Sequence, residues 1–384
     1  MSRTVLRPFS TPTVVAIVLL SAAPAGAAEP VSFAPYQAYF VGSSPESVAI
    51  ADVTDDGRPD VLLSTRAASD PDNDYKLFVF PQMPDGTLGT PVKNSTDGQF
   101  GDHMGLGTGD LNGDGRADVV LATTRGIDIF YQAPGGGLQP PQLTATSNQA
   151  FAAVVADMNL DGHQDIVTNT RDGVFLLKAT GSGFATSTVT TVPQWEVEVG
   201  DLNGDRFPDI AGCSGLNLCA STLNVFVQRG RGGFGMRQYP ANAGIWGACG
   251  IAVGDVTGDG ADDATMSICA NRPNALLNVF PQVGGRLVLG APIVYSSYDI
   301  PEPLVVADMN GDNLGDVVTL HGGWMQAGVY LQEAGALGPE SLFPIPYASQ
   351  YKPKGLAVGD VNGDGKPDIA AADYNNGLVV LRQQ

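Results

Sequence analysis

The chain has 384 residues and is acidic, because 40 Asp and Glu outnumber 20 Lys and Arg and give a formal charge of −20. A surface of this sign repels phosphate groups, which argues against nucleic acids and anionic membranes as partners. The four cysteines are not spaced like the ligands of a zinc site.

The N-terminal segment, residues 1–28, has the pattern of a secretory signal peptide. Two arginines precede an apolar stretch from Val14 to Ala23, and small residues follow. The stretch is too short to span a bilayer, so a membrane anchor is the weaker alternative. We expect cleavage near Ala27 or Ala28 and export to the periplasm, the cell surface or the medium. We also expect a monomer with no segment inserted in a membrane.

A nine-residue motif then recurs seven times, at intervals of 44 to 58 residues. Every copy has Asp at positions one, five and nine, and Asn or Thr at position three. Calcium takes six to eight oxygen ligands in a flexible shell, which such alternating side chains can supply. The sequence therefore predicts up to seven structural Ca²⁺ sites, the alternative being Asp-rich turns that bind nothing. The predicted ligands are Asp52, Thr54, Asp56, Asp60, Asp110, Asn112, Asp114, Asp118, Asp157, Asn159, Asp161, Asp165, Asp201, Asn203, Asp205, Asp209, Asp255, Thr257, Asp259, Asp263, Asp308, Asn310, Asp312, Asp316, Asp360, Asn362, Asp364 and Asp368.

Position six of the motif is Gly in five copies, and Arg206 and Asn313 are the exceptions. Glycine permits the positive φ with which such a loop closes around an ion. Arginine tolerates that conformation poorly, which makes the loop beginning at Asp201 the doubtful one. Removal of residues 1–28 takes away two Arg and leaves a charge of −22, and seven Ca²⁺ would bring this to −22 + 14 = −8. The negative charge of the chain is thus explained mainly by the predicted metal sites.

Each motif stands between two strand-like segments. In the first repeat these are 47–51 and 61–65, and a third segment at 77–80 is followed by a fourth, outer one. The residue before the first Asp is Ala or Gly in every copy, as expected where inner strands crowd around an axis. Four strands in about 50 residues, repeated seven times, predict an all-β, seven-bladed β-propeller rather than a solenoid. Residues 29–384 would form this single domain.

The two ends of the chain indicate how the ring closes. The last repeat stops after its third strand, at Gln384, and a spare strand-like segment runs from Val31 to Val41. We expect the N-terminal segment to supply the outer strand of the last blade, which leaves no exposed edge there.

The motif, its position between the first two strands, and the pieces Phe234-Gly235 and Leu289-Gly-Ala-Pro292 resemble FG-GAP repeats, also called VCBS-type repeats. These form the seven-bladed propellers of integrin α chains and of many secreted bacterial proteins. The resemblance covers nearly the whole mature chain. It implies that the metal loops face one side of the propeller and that ligands bind on the opposite side. No integrin ligand-binding residue can be transferred, because nothing outside the repeat motif matches.

The cysteine count is even, which suggests disulfides in an oxidising compartment. Of three possible connectivities we favour Cys213–Cys219, which closes a short loop, and Cys249–Cys269, which lie symmetrically about Asp259. The alternative is four reduced thiols in the core.

The face opposite the metal loops supplies the candidate ligand-binding residues. Aromatic rings there could stack on sugars or hold a peptide, although they could equally cap the core between blades. Glu198 stands where the other repeats have a small or apolar residue, and Glu196 lies two residues earlier on the same side of the strand. The pair could act as acid and base, or be held by a basic neighbour. The candidates are His103, Trp195, Glu196, Glu198, Trp246 and Trp324; further residues of this face are Phe151, Asp299, Glu302, Tyr351, Lys354, Arg125, Arg171, Arg272 and His321.

These observations favour a secreted, calcium-binding propeller that acts as a binding or adhesion module for an extracellular glycan or protein. No catalytic motif is recognisable, and we assign no catalytic residue. The alternative is a polysaccharide lyase or hydrolase with its site on the face away from the metals.

Overall fold

The computed structural model describes residues 30–66, 70–97, 105–214, 222–230, 233–243, 247–284, 288–346 and 354–384. Over these ranges the regular structure consists of β-strands and one short 3-10 helix, Gly322–Trp324. The predicted all-β class is confirmed. No helix in the described ranges has the length and apolar character needed to cross a membrane.

Seven four-stranded sheets follow one another along the chain, and each is one blade. The first strand is β1 Gln37–Tyr39. Blade 1 contains β2 Ser44–Ala51, β3 Asp60–Arg66, β4 Lys76–Phe80 and β5 Val92–Ser95; blade 2 contains β6 Leu106–Gly109, β7 Asp118–Thr123, β8 Gly126–Phe130 and β9 Gln142–Ala145; blade 3 contains β10 Val154–Ala156, β11 Asp165–Thr170, β12 Gly173–Thr180 and β13 Gly183–Thr190; blade 4 contains β14 Gln194–Gly200, β15 Asp209–Ser214, β16 Thr222–Arg229 and β17 Gly233–Pro240.

The remaining blades continue the pattern. Blade 5 contains β18 Ala248–Gly254, β19 Asp263–Ile268, β20 Leu276–Phe280 and β23 Ile293–Ser296, with a ribbon of β21 Gln282–Gly284 and β22 Val288–Leu289; blade 6 contains β24 Pro301–Ala307, β25 Asp316–His321, β26 Gln326–Tyr330 and β29 Ser341–Pro344, with a ribbon of β27 Gln332–Glu333 and β28 Ala336–Leu337; blade 7 contains β30 Leu356–Gly359, β31 Asp368–Asp373, β32 Gly377–Leu381 and β1.

The blades are arranged in a closed ring. Their first strands contact one another in the order β2, β6, β10, β14, β18, β24 and β30, and β30 returns to β2. Within each blade the chain runs from the inner strand outward, and every pairing is antiparallel. The metal motif occupies the turn between the first and second strands, as predicted.

The first strand of the chain closes the ring. Its residues pair with the third strand of blade 7 in the register Gln37–Val380 and Tyr39–Leu378. An isolated bridge between Phe33 and Gln383 extends the contact. The expected closure by the N-terminal segment is confirmed.

Apolar side chains fill the spaces between neighbouring blades. One cluster joins blades 1 to 3 through Leu62, Val120 and Ile166, all fully buried. Close to the axis the strands leave little room: a Cβ added at Gly109 would lie 2.6 Å from Val155 Cγ1 of the next blade. This approach explains why a small residue precedes the first Asp of each motif.

Candidate functional site

The seven motifs fold into loops of one shape. In each loop the first Asp accepts the backbone N–H of residue six at 2.7–2.8 Å. Residue six has a positive φ of 64–87° in all seven loops, a conformation that suits glycine. Arg206 adopts it too, at φ 77°. The loop that begins at Asp201 therefore keeps the common shape, with the backbone strain of a non-glycine residue in this region.

Residue four of each loop is also left-handed, with φ of 57–80°. This requirement escaped the sequence reasoning, although Gly stands at position four in five copies. The exceptions are Asp55, at φ 59°, and Leu160, at φ 57°. Leu160 is half exposed, so burial of its side chain offsets little of the backbone strain.

The last Asp of each motif is buried and connects its loop to the third strand of the same blade. One oxygen of Asp60 accepts the N–H of Val53 at 3.0 Å, and the other accepts the N–H of Gln82 at 3.0 Å. The same two bonds recur at Asp118, Asp263, Asp316 and Asp368. The fold itself thus positions this side chain.

The carboxylates within a loop disfavour one another's charge. Burial raises the pKa of the last Asp in every loop, and nearby carboxylates of the same loop add to the effect. At Asp209, burial followed by repulsion from Asp205 and Asp201 raises the pKa to about 7. A cation would relieve this repulsion, and an all-oxygen donor set suits a hard cation. The residue types therefore fit Ca²⁺.

The described residues contain no group of three or more His, Cys, Asp or Glu side chains arranged around one point as a metal site. In several loops the carboxylates face backbone N–H groups or basic side chains instead. Asp56 accepts the N–H of Arg58 at 3.0 Å, and the Arg58 guanidinium pairs with the same carboxylate. Arg116 pairs with Asp114 in the next loop. Calcium ligation by these loops accordingly stays a prediction.

A glutamine at the end of the third strand connects neighbouring blades. Its side-chain N–H donates to a backbone carbonyl in the metal loop of the preceding blade, for example from Gln282 to Asp201 O at 2.6 Å. We call this contact the glutamine clasp. Its repeated residue was visible in the sequence, but its partner lies in a different repeat. The clasp is made by Gln82, Gln228, Gln282, Gln332 and Gln383.

A charged cluster crosses the axis of the propeller. Glu196 and Glu198 lie on the inner strand of blade 4, whereas Lys354 precedes the inner strand of blade 7, which is not adjacent in the ring. Lys354 Nζ lies 3.4 Å from Glu196 Oε1 and also pairs with Glu198. Glu196 further accepts the N–H of Ile251 in blade 5 at 3.0 Å. The basic neighbour considered for the two carboxylates is thus Lys354.

The charges in this axial cluster are tightly coupled. Glu196 is buried, and burial raises its pKa to about 8 against the opposing effect of Lys354. Burial disfavours the charge of Lys354, but Glu198 and Glu196 outweigh it and raise its pKa. Since one ammonium group holds both carboxylates, the cluster resembles a structural ion pair more than a free acid and base.

A second polar group lies between blades 5 and 6. His321 Nδ1 is 3.2 Å from the carbonyl oxygen of Asp299, and Nε2 is 2.7 Å from Glu340 Oε1. The carbonyl oxygen can only accept, so Nδ1 is the donor in that hydrogen bond. Arg272 pairs with Asp299 at 3.0 Å and covers the ring of Tyr298 at 4.1 Å. The structure therefore brings together three residues of the predicted ligand face.

Cavities open at several seams in the described part of the chain. One of about 240 Å³, without an aromatic ring in its wall, lies between blades 6 and 7, and three others have aromatic residues. Their volumes are about 500 Å³ between blades 2 and 3, about 360 Å³ between blades 5 and 6, and about 290 Å³ where blades 7 and 1 meet. Each has aromatic and polar walls. The aromatic residues are, in the same order, Tyr131 and Phe184, then Tyr295, Tyr298 and Tyr330, then Phe40 and Tyr374.

The other predicted ligand residues are dispersed or lie outside the described ranges. Trp195 is partly buried and packs against the core that joins blades 4 and 5. Trp324 is 44% exposed on the 3-10 helix of blade 6. His103 and Trp246 lie outside the described residues, as does the predicted signal peptide.

The predicted disulfides are incompletely described. Neither Cys213 nor Cys269 is a free thiol in the described part of the chain. Cys219 and the side chain of Cys249 fall outside the description. The pairing Cys213–Cys219 and Cys249–Cys269 stays a prediction.

Similar proteins support the fold. A solved lectin from Agrocybe aegerita, described by its specific recognition of non-reducing terminal N-acetylglucosamine, is 18% identical, with 89% of this chain and 86% of that chain covered and a TM-score of 0.59. The structure of BBS1N in complex with ARL6DN is 10% identical, with 92% and 96% covered and a TM-score of 0.59. Identities this low support the fold alone. A search of curated proteins finds no match.

The family model described as FG-GAP-like repeat matches residues 52–121, 110–168 and 308–371. Each match begins at the first Asp of one motif. It ends in the second strand of the next blade, directly after the next motif. The remaining blades have the same motif, strand order and loop geometry. The chain is an FG-GAP-type seven-bladed β-propeller.

Proposed function

We propose that this protein is a secreted, calcium-stabilised binding module whose ligand is an extracellular glycan. Calcium would hold the metal loops, and the ligand would bind at the surface of the ring. An extracellular protein is the other ligand class that such a module would take.

The observation that carries the glycan proposal is the character of the three seam cavities that have aromatic walls. Their volumes, from about 290 to about 500 Å³, lie in or near the range of small-ligand sites. Aromatic rings offer a flat apolar surface to one face of a sugar, and polar side chains offer hydrogen bonds to its hydroxyl groups. The lectin from Agrocybe aegerita, which shares the fold, makes N-acetylglucosamine a natural first probe.

The axial cluster gives less support to the alternative of a polysaccharide lyase or hydrolase. General acid–base catalysis needs a carboxyl group free to exchange a proton with substrate. Glu196 is buried, and Lys354 pairs with both Glu196 and Glu198. Their contacts fit a contribution to stability, and a substrate would have to displace Lys354 before it reached either carboxylate.

The test is a glycan array that includes N-acetylglucosamine-terminated oligosaccharides, probed with the exported protein in calcium and in chelator. We expect binding to a defined group of glycans in calcium, with weaker binding in chelator. Protein that is folded by circular dichroism and calcium-loaded by elemental analysis, yet binds no glycan, would contradict the glycan proposal. A protein ligand and then cleavage assays on polysaccharides would be tested next.

Export is tested separately by expressing the full chain in a secreting host. N-terminal sequencing of the exported product should begin near Ala28 or Glu29. A product that stays in the cytoplasm with residues 1–28 attached would contradict the predicted signal peptide.

A further inference from the structure

Two of the seven seams lack the glutamine clasp. Between blades 1 and 2 the glutamine is present, but Gln132 Nε2 has no hydrogen-bond partner among the described residues; between blades 2 and 3 the glutamine itself is absent. The last Asp of motif three, Asp165, accepts the backbone N–H of Ala179 at 2.7 Å. The equivalent bonds in the other six blades come from Gln82, Gln132, Gln228, Gln282, Gln332 and Gln383. Ala179 therefore occupies the clasp position, and it has no amide to donate to the metal loop of blade 2.

The hairpin that follows Ala179 also lacks a backbone hydrogen bond to the neighbouring loop. In blade 2, Gly137 donates its N–H to Val53 O of the preceding loop at 2.9 Å. In blade 1, a Cβ at Gly86 would lie 2.6 Å from Asn362 O. In blade 3, by contrast, no backbone hydrogen bond joins the described residues 181–183 to the metal loop of blade 2.

The seam between blades 2 and 3 holds the cavity of about 500 Å³. Leu111 and Asn112 of the blade 2 metal loop form one side, and Ala179 to Phe184 of blade 3 form the other. The opening thus lies where a clasp would otherwise join the two. The missing glutamine side chain and the missing backbone bond from the hairpin enlarge this space, since the cavity beside the metal loops at the clasped seam between blades 6 and 7 is about 240 Å³.

We propose that this cavity is the sugar subsite of the protein, placed on the metal-loop side of blades 2 and 3 and not on the opposite face. This inference rests on the proposed glycan-binding function and specifies where on the propeller the sugar binds. The resemblance to FG-GAP repeats implied a ligand site on the opposite face. A site in this cavity and a site on that face therefore predict different effects of substitutions.

The walls of the cavity suit a neutral sugar ring. Tyr131 and Phe184 supply apolar surface, and the amides of Asn112 and Gln142 supply both donors and acceptors. Asp161 contributes a carboxylate, which lies 4.0 Å from Lys178. A polyhydroxylated, uncharged ligand with one apolar face matches this combination better than an anion, which the net negative charge of the whole chain would repel.

The decisive variant restores the clasp. Ala179→Gln should connect blade 3 to the metal loop of blade 2 and occupy the cavity mouth, without removing any side chain. Phe184→Ala removes apolar surface from the wall. The matched control is Phe234→Ala, because Phe234 pairs with Gln228 as Phe184 pairs with Ala179, but at a seam whose clasp is present.

Binding is measured by saturation-transfer NMR with N-acetylglucosamine, galactose, mannose and fucose, and the affinity of any sugar that binds is measured by calorimetry. Ala179→Gln and Phe184→Ala should each weaken binding by about tenfold or more, the equivalent of about 1.4 kcal/mol. Phe234→Ala should stay within about twofold of the parent. Melting curves of all three variants establish that they are folded.

The outcomes separate this inference from the proposed function. If the glycan array is positive and both cavity variants bind the sugar like the parent, the site lies elsewhere and only the location is wrong. If neither the array nor the sugar panel shows binding, the glycan function fails and the subsite with it. Loss of binding in Phe234→Ala as well as Phe184→Ala would also overturn the location, because the effect would not be specific to the open seam.

Discussion

Lys354 holds the axis of the propeller together, and its replacement tests that role. In Lys354→Met, the chain keeps a side chain of similar length but loses the ammonium group that pairs with Glu196 and Glu198. The Glu198 carboxylate would then lie near the axis with no counter-charge, beside Glu196, whose burial favours the protonated form. Glu196 is 1% exposed, so water could not replace the lost interaction there.

The magnitude follows from the burial of the cluster. Removal of one partner of a buried ion pair typically costs about 3–5 kcal/mol. The side chains of Lys354 and Glu198 are 18% and 23% exposed, which places the expectation at the lower end, about 3 kcal/mol. For a chain of this size that corresponds to a fall of roughly 5 °C in melting temperature.

The assay compares Lys354→Met with the triple variant that also carries Glu196→Gln and Glu198→Gln. The triple variant should recover most of the lost stability, because no uncompensated charge remains in it. The reasoning is refuted if Lys354→Met melts at the same temperature as the parent, or if the triple variant is less stable than the single one.

The same cluster gives a pH dependence. The folded state holds the proton of Glu196 up to about pH 8, whereas the unfolded chain releases it near the ordinary value of 4.5. The stability contributed by this proton is full below pH 4.5 and is lost as the pH rises toward 8. Glu196→Gln cannot titrate. The difference in unfolding free energy between variant and parent should therefore shift in favour of the variant from pH 4.5 to 8, as measured by guanidinium denaturation. A constant difference would contradict the assignment.

Three further predictions concern the metal loops. Calcium should raise the melting temperature. At a free calcium concentration one hundred times Kd, each occupied site adds about 2.7 kcal/mol to the free energy of unfolding. Equal melting temperatures in calcium and in chelator would contradict metal binding. Arg206→Gly and Leu160→Gly should each stabilise the protein by about 1 kcal/mol by removing left-handed strain, whereas the control Leu160→Ala, which keeps the strain, should not. Gln282→Ala should cost about 1 kcal/mol by removing a clasp, and hydrogen exchange should increase in the loop beginning at Asp201; unchanged exchange there would argue against the clasp.

Much of the fold was predictable because it repeats. Seven motifs at near-constant spacing gave seven blades, and the incomplete last repeat with a spare strand at Val31–Val41 gave the ring closure now seen at β1. Positive φ at residue six also followed from the preference for Gly, whereas Arg206, which made its loop doubtful in the sequence, adopts the same conformation. Each of these inferences needed only residues within one repeat or at the two chain ends.

The contacts between blades were not predictable in the same way. Lys354 and Glu198 are 156 residues apart, and the repeat period places both near the axis without specifying that their side chains meet. The clasp glutamines recur visibly, yet each bonds to a carbonyl in the preceding blade, for instance Gln383 to Met309 O. A periodic pattern defines the blade, whereas the geometry of the seam between two blades defines these contacts.

The loops and clasps together form a network that joins five of the seven pairs of neighbouring blades. The last Asp of a motif binds the backbone of its own third strand, and the glutamine on that strand binds the loop of the preceding blade, as Asp263 and Gln282 do for the loop beginning at Asp201. A cation that orders one loop would therefore also constrain its neighbour. The network is interrupted between blades 1 and 2, where Gln132 Nε2 has no partner in the described part of the chain, and at Ala179, where Asp165 still binds the strand but no amide reaches the loop of blade 2. A ligand bound in that seam would supply the missing connection, which physically links the location of the proposed sugar subsite to the rigidity of the ring.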